Sequence, residues 1–314
     1  MARKELKAIT EKLEKGIQNL FESDNFKNYL KTLSKFHHYS LGNTILIAMQ
    51  KPDATLVAGY TSWQKNFHRH VNKGEKGISI LAPTPYKKKV EVEKVDPTTG
   101  DKAKEIQEIV VPAFKVVNVF DVSQTEGKEL PTIGVSELTG DVAHFDKVLE
   151  SLKRSCPVPI EFEEIRNGAK GYFQTTGNRI AIQKDMSQVQ TVKTIIHEMA
   201  HQKLHSNAPE LRRNAKEVEA EAVAYTVSQH FGIETSDYSF GYIAGWSKGK
   251  ALAELKDSLD RISTAADELI TAVEGHLKEL MNMEKPSVLK ALEGKGPQPN
   301  ISEKKTKQVE RDCL

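Results

Sequence analysis

His197 and His201 stand four residues apart with Glu198 between them, in the run His197-Glu198-Met199-Ala200-His201. On a helix, residues at this spacing lie one above the other on the same face. Their imidazoles can then grip one divalent cation together. Glu198 projects beside the pair, where its carboxylate can take a proton from a water on the metal. The surrounding apolar residues support a helix. Val192, Ile195, Ile196, Met199, Ala200 and Leu204 recur at helical spacing, which predicts a helix over about 187–205 buried on one side.

Catalytic zinc takes three protein ligands and keeps its fourth position for water. A second, acidic helix is expected at Lys216-Glu217-Val218-Glu219-Ala220-Glu221-Ala222-Val223-Ala224-Tyr225. Glu217 is the candidate third ligand, and Glu221, one turn later, can orient a ligand histidine by hydrogen bonding. His205 is the nearest spare histidine. It continues the face of His201 but stands too far along the axis to close a tetrahedron, so an open Zn²⁺ site is expected. H-E-x-x-H is the zincin metallopeptidase pattern, and the acidic helix is what makes so short a pattern specific.

The elements that must position these residues are legible from periodicity and punctuation. Leu6, Ile9, Leu13, Ile17 and Leu20 form one apolar stripe, predicting a helix over about 2–22. A second helix carries Phe26, Tyr29, Leu30, Leu33 and Phe36, and a third runs from about Leu41 to Gln50, stopping before Lys51-Pro52. Ala54 to Gly59 reads as a short strand and Thr61 to Phe67 as a helix capped by Thr61 or Ser62. Strands follow at Ile78–Leu81, Val90–Glu93, Ile106–Val111 and Phe114–Phe120, the middle two joined by a turn at Asp96–Asp101. A helix is expected around Val142–Leu152, then strands at Pro159–Phe162 and Asn178–Ile182. The strand just before the metal helix offers an edge for pairing with an extended substrate. Leu252, Leu255, Leu259, Ile262, Leu269 and Val273 support one more long helix or two.

These elements predict an α+β chain of two domains. Residues 1–122 form a helical and β-hairpin module, 123–140 a linker, 141–250 the metal-binding domain and 251–284 a helical extension. Residues 285–314 are lysine-rich and polar, and are expected to be disordered. The sequence lacks an apolar run long enough to span a membrane and a signal-peptide core at its start. Only two cysteines occur, Cys156 and Cys313, which argues against a disulfide framework and for a reducing cytoplasm. Cys156 reads as a small apolar residue rather than a nucleophile.

A net charge of +2 hides an asymmetry. Residues 1–90 hold 16 Lys/Arg and 7 Asp/Glu, while 91–314 hold 29 and 36. A basic front and an acidic back suggest a polyanion-binding module joined to something else. Between Lys31 and Lys89 aromatic residues interleave with the lysines, and such a mix suits unpaired bases that stack and phosphates that need neutralising. The candidate nucleic-acid contacts are Lys35, His38, Tyr39, Asn43, Trp63, Lys65, Arg69, Lys73, Lys76, Lys87 and Lys88. Phe36, Tyr60 and Trp63 also read as core residues. His37 and His38 are adjacent, so on a helix they point in different directions and cannot chelate as His197 and His201 can.

Three segments carry a resemblance. Phe36-His37-His38-Tyr39-Ser40-Leu41-Gly42-Asn43-Thr44-Ile45-Leu46-Ile47, then Gly59-Tyr60-Thr61-Ser62-Trp63-Gln64, then Val71-Asn72-Lys73-Gly74-Glu75-Lys76-Gly77-Ile78 resemble the N-terminal domain of ArdC antirestriction proteins. That family shows a Tyr-Ser-x-x-Asn element, a Trp-containing helix and a Lys-Gly-Glu-Lys-Gly turn leading into a strand. The second half is similar to the family's zincin-like domain. Its acidic helix resembles that of ImmA/IrrE metallopeptidases, where a glutamate precedes an Asn or Asp by four residues. Glu217 matches the glutamate, and Glu221 stands where Asn or Asp is usual. Over about residues 5–250 the resemblance implies single-stranded DNA binding, a zinc site, and a mobile-element protein that protects incoming DNA from restriction. Two rival readings remain: a DNA-binding protein whose metal site is structural or vestigial, and a regulatory protease that cleaves a repressor protein.

Overall fold

Three helices open the chain: α1 (Ala2–Leu20), α2 (Ser23–Lys35) and α3 (Leu41–Gln50). They come from a computed structural model that describes residues 2–21, 23–95, 102–130, 144–166, 168–207, 211–233, 240 and 243–281. Ser40 caps α3 by accepting from the Asn43 N–H at 3.4 Å. The helix stops at Gln50, two residues before Pro52. Strand β1 (Val57–Gly59) leads into helix α4 (Tyr60–Phe67). Neither Thr61 nor Ser62 caps α4. Its N-cap is Gly59, with no side-chain cap, because the helix starts one residue earlier than the pattern suggests.

Strands β2 (Arg69–Val71), β3 (Ile78–Pro83), β4 (Tyr86–Val95), β5 (Lys102–Val111) and β6 (Phe114–Asp121) follow. β6 runs antiparallel between β1 and β3. β4 and β5 form a separate two-stranded hairpin, in register from Tyr86↔Val111 to Val95↔Lys102. The expected turn at 96–101 lies outside the described residues. The stretch read as a linker begins with structure. A capping box between Asp121 and Gln124 closes a single 3₁₀ turn, and β7 (Thr125–Gly127) then pairs with β2. The sequence there shows no apolar alternation, because β2 and β7 are only three residues each and half of those residues are exposed.

The second half holds α5 (Phe145–Ser155), β8 (Ile160–Glu163), β9 (Gly171–Gln174) and β10 (Arg179–Gln183). Helices α6 (Gln188–His205), α7 (Arg213–His230), α8 (Ile243–Ser247) and α9 (Leu252–Leu280) complete it. β10 sits in the middle of its sheet, parallel to β8 and antiparallel to β9. The strand just before α6 therefore has both edges taken. β9, which periodicity does not reveal, folds back on β10 and supplies the edge beside α6.

One apolar core runs from Ile9 to Val273 and joins α1 and α2 to α6, α7 and α9. Phe26, Tyr29, Leu30 and Leu33 on α2 are fully or almost fully buried there, and α2 packs against α7. The main core therefore does not divide near residue 122. A smaller cluster of Phe36, Ile47, Ala54, Val57, Ile78, Ile80 and Val119 sits under the front sheet. Buried alanines on α7 (Ala215, Ala220, Ala222 and Ala224) and Ala200 on α6 keep side chains short, which lets helices approach closely. No helix among the described residues is long and apolar enough to cross a membrane. The mixed helix and sheet content is that of an α+β chain.

Candidate metal centre

Ser187 caps α6 by accepting from the Gln190 N–H at 3.3 Å, and the helix then carries His197 and His201 on the side facing α7. The His197 and His201 Nε2 atoms lie 3.0 Å apart. Glu217 on α7 brings its Oε2 to 3.6 Å from the first and 3.5 Å from the second. A tetrahedral ion with bonds of about 2.0–2.2 Å holds its ligand atoms about 3.4 Å apart, and the three spacings bracket that value. His197, His201 and Glu217 are thus brought within reach of one point.

The protons on the two rings follow from the carboxylates behind them, since ionised carboxylates only accept. Glu219, fully buried on α7, receives the His205 Nε2–H at 3.2 Å. His205 Nδ1 is then an acceptor, and it takes the Nδ1–H of His201 at 3.0 Å. His197 Nδ1 faces Glu221 Oε2 at 3.4 Å and donates there. Both Nε2 lone pairs are left bare, converging on one point beside the Glu217 carboxylate. Only a cation or a proton satisfies that arrangement. In the metal-free chain a proton does so: burial pulls the His197 pKa down, but Glu217 and Glu221 outweigh it and push it up to about 9. The same two histidines hold Glu217 well below the usual carboxylate range. A divalent ion would compete with that proton for the same lone pairs.

His205 is not a fourth ligand, because its ring spans His201 and Glu219. Glu219 also accepts from Ser258 at 2.7 Å and from the Arg261 guanidinium, both on α9. The sequence reading missed Glu219, which lies off the face shared by Glu217 and Glu221. Its only signal was an acid amid an otherwise buried stretch.

Glu198 is 7% exposed. Burial raises its pKa, while His197, His201 and a hydrogen bond from the Phe173 backbone pull it back. Phe173 lies on β9, which crosses α6 so closely that a side chain at Gly171 would force its neighbours to shift. A Cβ there would fall 2.7 Å from Thr194 Cγ2 and 3.2 Å from Glu198 Cγ. A cleft of about 390 Å³ opens over His197 and Glu198, walled by Lys170, Gly171, Gln190, Lys193, Thr194 and Glu221.

The eleven candidate nucleic-acid contacts divide sharply. Lys65, Lys73, Lys76, Lys87 and Lys88 are exposed, with Lys87 3.4 Å from Glu108. Lys35 is exposed but donates to the Ala54 carbonyl at 3.2 Å. Trp63 has no face to offer a base: it is fully buried and donates its indole N–H to the Phe120 carbonyl at 2.9 Å. Asn43 spends its amide on both backbone groups of Leu81, tying α3 to β3. Arg69 is committed to Thr125 and the Lys128 carbonyl. Tyr39 is half-buried against Phe36. The exposed aromatics of the front half are instead Tyr60 and Tyr86, at 50% and 53%. His37 and His38 do not diverge, because α2 ends at Lys35 and both lie in the turn that follows. Both face Asp267 of α9.

Residues 3–120 match the family model described as the N-terminal domain of anti-restriction factor ArdC. The chain is 26% identical over 311 residues to the uncharacterized protein pXO2-81 of Bacillus anthracis, covering 88% of this chain. It spans about half the length of that relative, 53%. The metal-free crystal structure of the antirestriction ArdC protein from plasmid R388 is similar at 20% identity, covering 79% of this chain and 87% of that one, with a TM-score of 0.45. The Mn(II)-bound structure of that protein aligns at 21% identity over 77% and 84%, with a TM-score of 0.43.

Proposed function

We propose, from the match of residues 3–120 to the N-terminal domain of anti-restriction factor ArdC, that the chain is a DNA-associated, zinc-dependent peptidase that protects incoming DNA from restriction. The observation that carries the catalytic half is the pair of Nε2 atoms, 3.0 Å apart, that face the Glu217 carboxylate with Glu198 alongside. His197, His201 and Glu217 would hold the ion. A divalent cation held there supplies Lewis acidity, which polarises a substrate carbonyl and acidifies a nearby water.

The rest belongs to the chain's own groups. Glu198 takes the proton of the attacking water and returns it to the leaving amine. Its burial keeps that carboxylate more basic than an exposed one. β9 is an outer strand of its sheet among the described residues and borders the cleft, suited to aligning an extended peptide by strand addition. Three protein ligands and an uncommitted cleft support an open site over a closed structural one. Among the front-half residues, Lys65, Lys73, Lys76, Lys87 and Lys88, with Tyr60 and Tyr86, support phosphate contact and base stacking on single-stranded DNA.

The test is Glu198→Gln. The variant should bind Zn²⁺ with unchanged affinity and lose hydrolysis of an unfolded protein substrate. Full-rate cleavage would remove Glu198 as the base. A variant that protects DNA from restriction as well as the parent would favour a binding role without proteolysis.

A further inference from the structure

Besides the centre at His197, one other trio among the described residues brings three ligand-type atoms within 4.8 Å of one another: His37, His38 and Asp267. The Nδ1 atoms of the two histidines each lie 2.9 Å from one oxygen, Asp267 Oδ1. The turn after α2 brings the adjacent rings to 3.9 Å between centroids at an interplanar angle of 50°. Two sequence neighbours thus aim at one carboxylate that arrives from α9, some 230 residues away.

The surroundings differ on the two sides. The His37 side chain is 5% exposed, Asp267 26% and His38 68%. An exposed histidine has no packing reason to face inward. The open flank leaves room for water to complete a coordination shell. The trio also borders a cleft of about 680 Å³ between α1, the α2–α3 turn and α9. Its wall adds Asp257, Asp260 and Glu268, the last paired with Lys203, against Lys256. That excess of acid raises the local concentration of cations.

We propose that His37, His38 and Asp267 form a second divalent-cation site, of the first-row transition class that imidazole and carboxylate donors favour. The spacings of 2.9 Å must open by a few tenths of an ångström to suit a tetrahedral ion, with ligand atoms about 3.4 Å apart. His38, on the surface, can supply that movement. Once filled, the site pins the turn leading into Tyr39-Ser40-Leu41-Gly42-Asn43 onto α9. It shares no residue with the first centre and does not depend on it.

Equilibrium dialysis of the full chain against micromolar free Co²⁺, with elemental analysis, tests this. Wild type should hold two ions per chain, His38→Ala one, and the His197→Ala/His201→Ala double variant one. Because His38 is exposed, its replacement should leave the fold intact, which far-UV circular dichroism checks. If the double variant fails to fold, the wild-type and His38→Ala pair decides. A stoichiometry unchanged by His38→Ala, whether one or two, overturns the site. A single wild-type ion that His38→Ala abolishes would uphold it and count against the first centre.

Discussion

Replacing Glu219 by glutamine isolates the chain of groups behind His201. The substitution keeps the shape and removes the charge. It also turns one oxygen into an N–H donor aimed at groups that themselves donate. The native carboxylate is fully buried and ionised: burial raises its pKa, but His205, Arg261 and Ser258 together bring it below the ordinary value. Breaking a buried ion pair by removing one partner costs about 3–5 kcal/mol. Arg261 is 35% exposed, so water reaches its guanidinium and the cost falls at about 3 kcal/mol. The second effect is on metal binding. Without an acceptor for its Nε2–H, His205 no longer holds Nδ1 bare toward His201, and the His201 tautomer loses its steering. Loss of such a supporting hydrogen bond weakens metal affinity about 10- to 100-fold. Competition for Zn²⁺ against a chromophoric chelator measures that, and urea unfolding of the metal-free protein measures the stability. A variant destabilised as expected but with wild-type Zn²⁺ affinity would refute the tautomer argument. The relay would then be structural alone.

Four further outcomes are expected. Gly171→Ala should lose about 1–3 kcal/mol, because the new methyl meets Thr194 Cγ2 at 2.7 Å and the Ala181 carbonyl at 3.1 Å; an unchanged thermal midpoint would show that β9 does not press on α6. Glu274 is held down to about 2, chiefly by the hydrogen bond from His230 and despite burial. Its folded pKa lies below the ordinary 4.5, so its contribution is present above about pH 4.5 and is lost as the pH falls toward about 2. Glu274→Gln should therefore be about 2–3 kcal/mol less stable at pH 7, with the gap closing by pH 2; a gap of constant size would contradict this. Trp63→Phe should lose about 1 kcal/mol with its hydrogen bond to Phe120 and leave oligonucleotide affinity unchanged. Lys87→Ala/Lys88→Ala should weaken binding to labelled single strands and flatten its salt dependence, read by fluorescence anisotropy.

Much of the framework was readable in one dimension. The stripe from Leu6 to Leu20, the helix stop before Pro52 and the i,i+4 histidines rest on local periodicity and backbone restriction, which need no distant partner. α3, β6, α6 and α9 accordingly stand where pattern placed them, while β4 and β5 each begin four residues before the segments it marked. β9 escaped because its four half-buried residues, Gly-Tyr-Phe-Gln, show neither period. Trp63 misled because an aromatic among lysines looks the same whether it faces solvent or the core.

The residue order alone settled which atoms are able to ligate: two imidazoles one turn apart on a helix must share a side, and an acidic helix must offer carboxylates. Which carboxylate is buried and merely steers a proton depended on how α7 and α9 pack on α6. Spacing alone picks out Glu217 as candidate ligand and Glu221 as the acceptor behind a histidine, whereas Glu219 becomes a buried relay only through the packing of α7 against α9. His37 and His38 make the same point in reverse. Neighbours that a helix would separate converge because the helix ends before them and α9 delivers Asp267. Such long-range convergence has no local signature, since it is set by the packing of a core that runs from Ile9 to Val273.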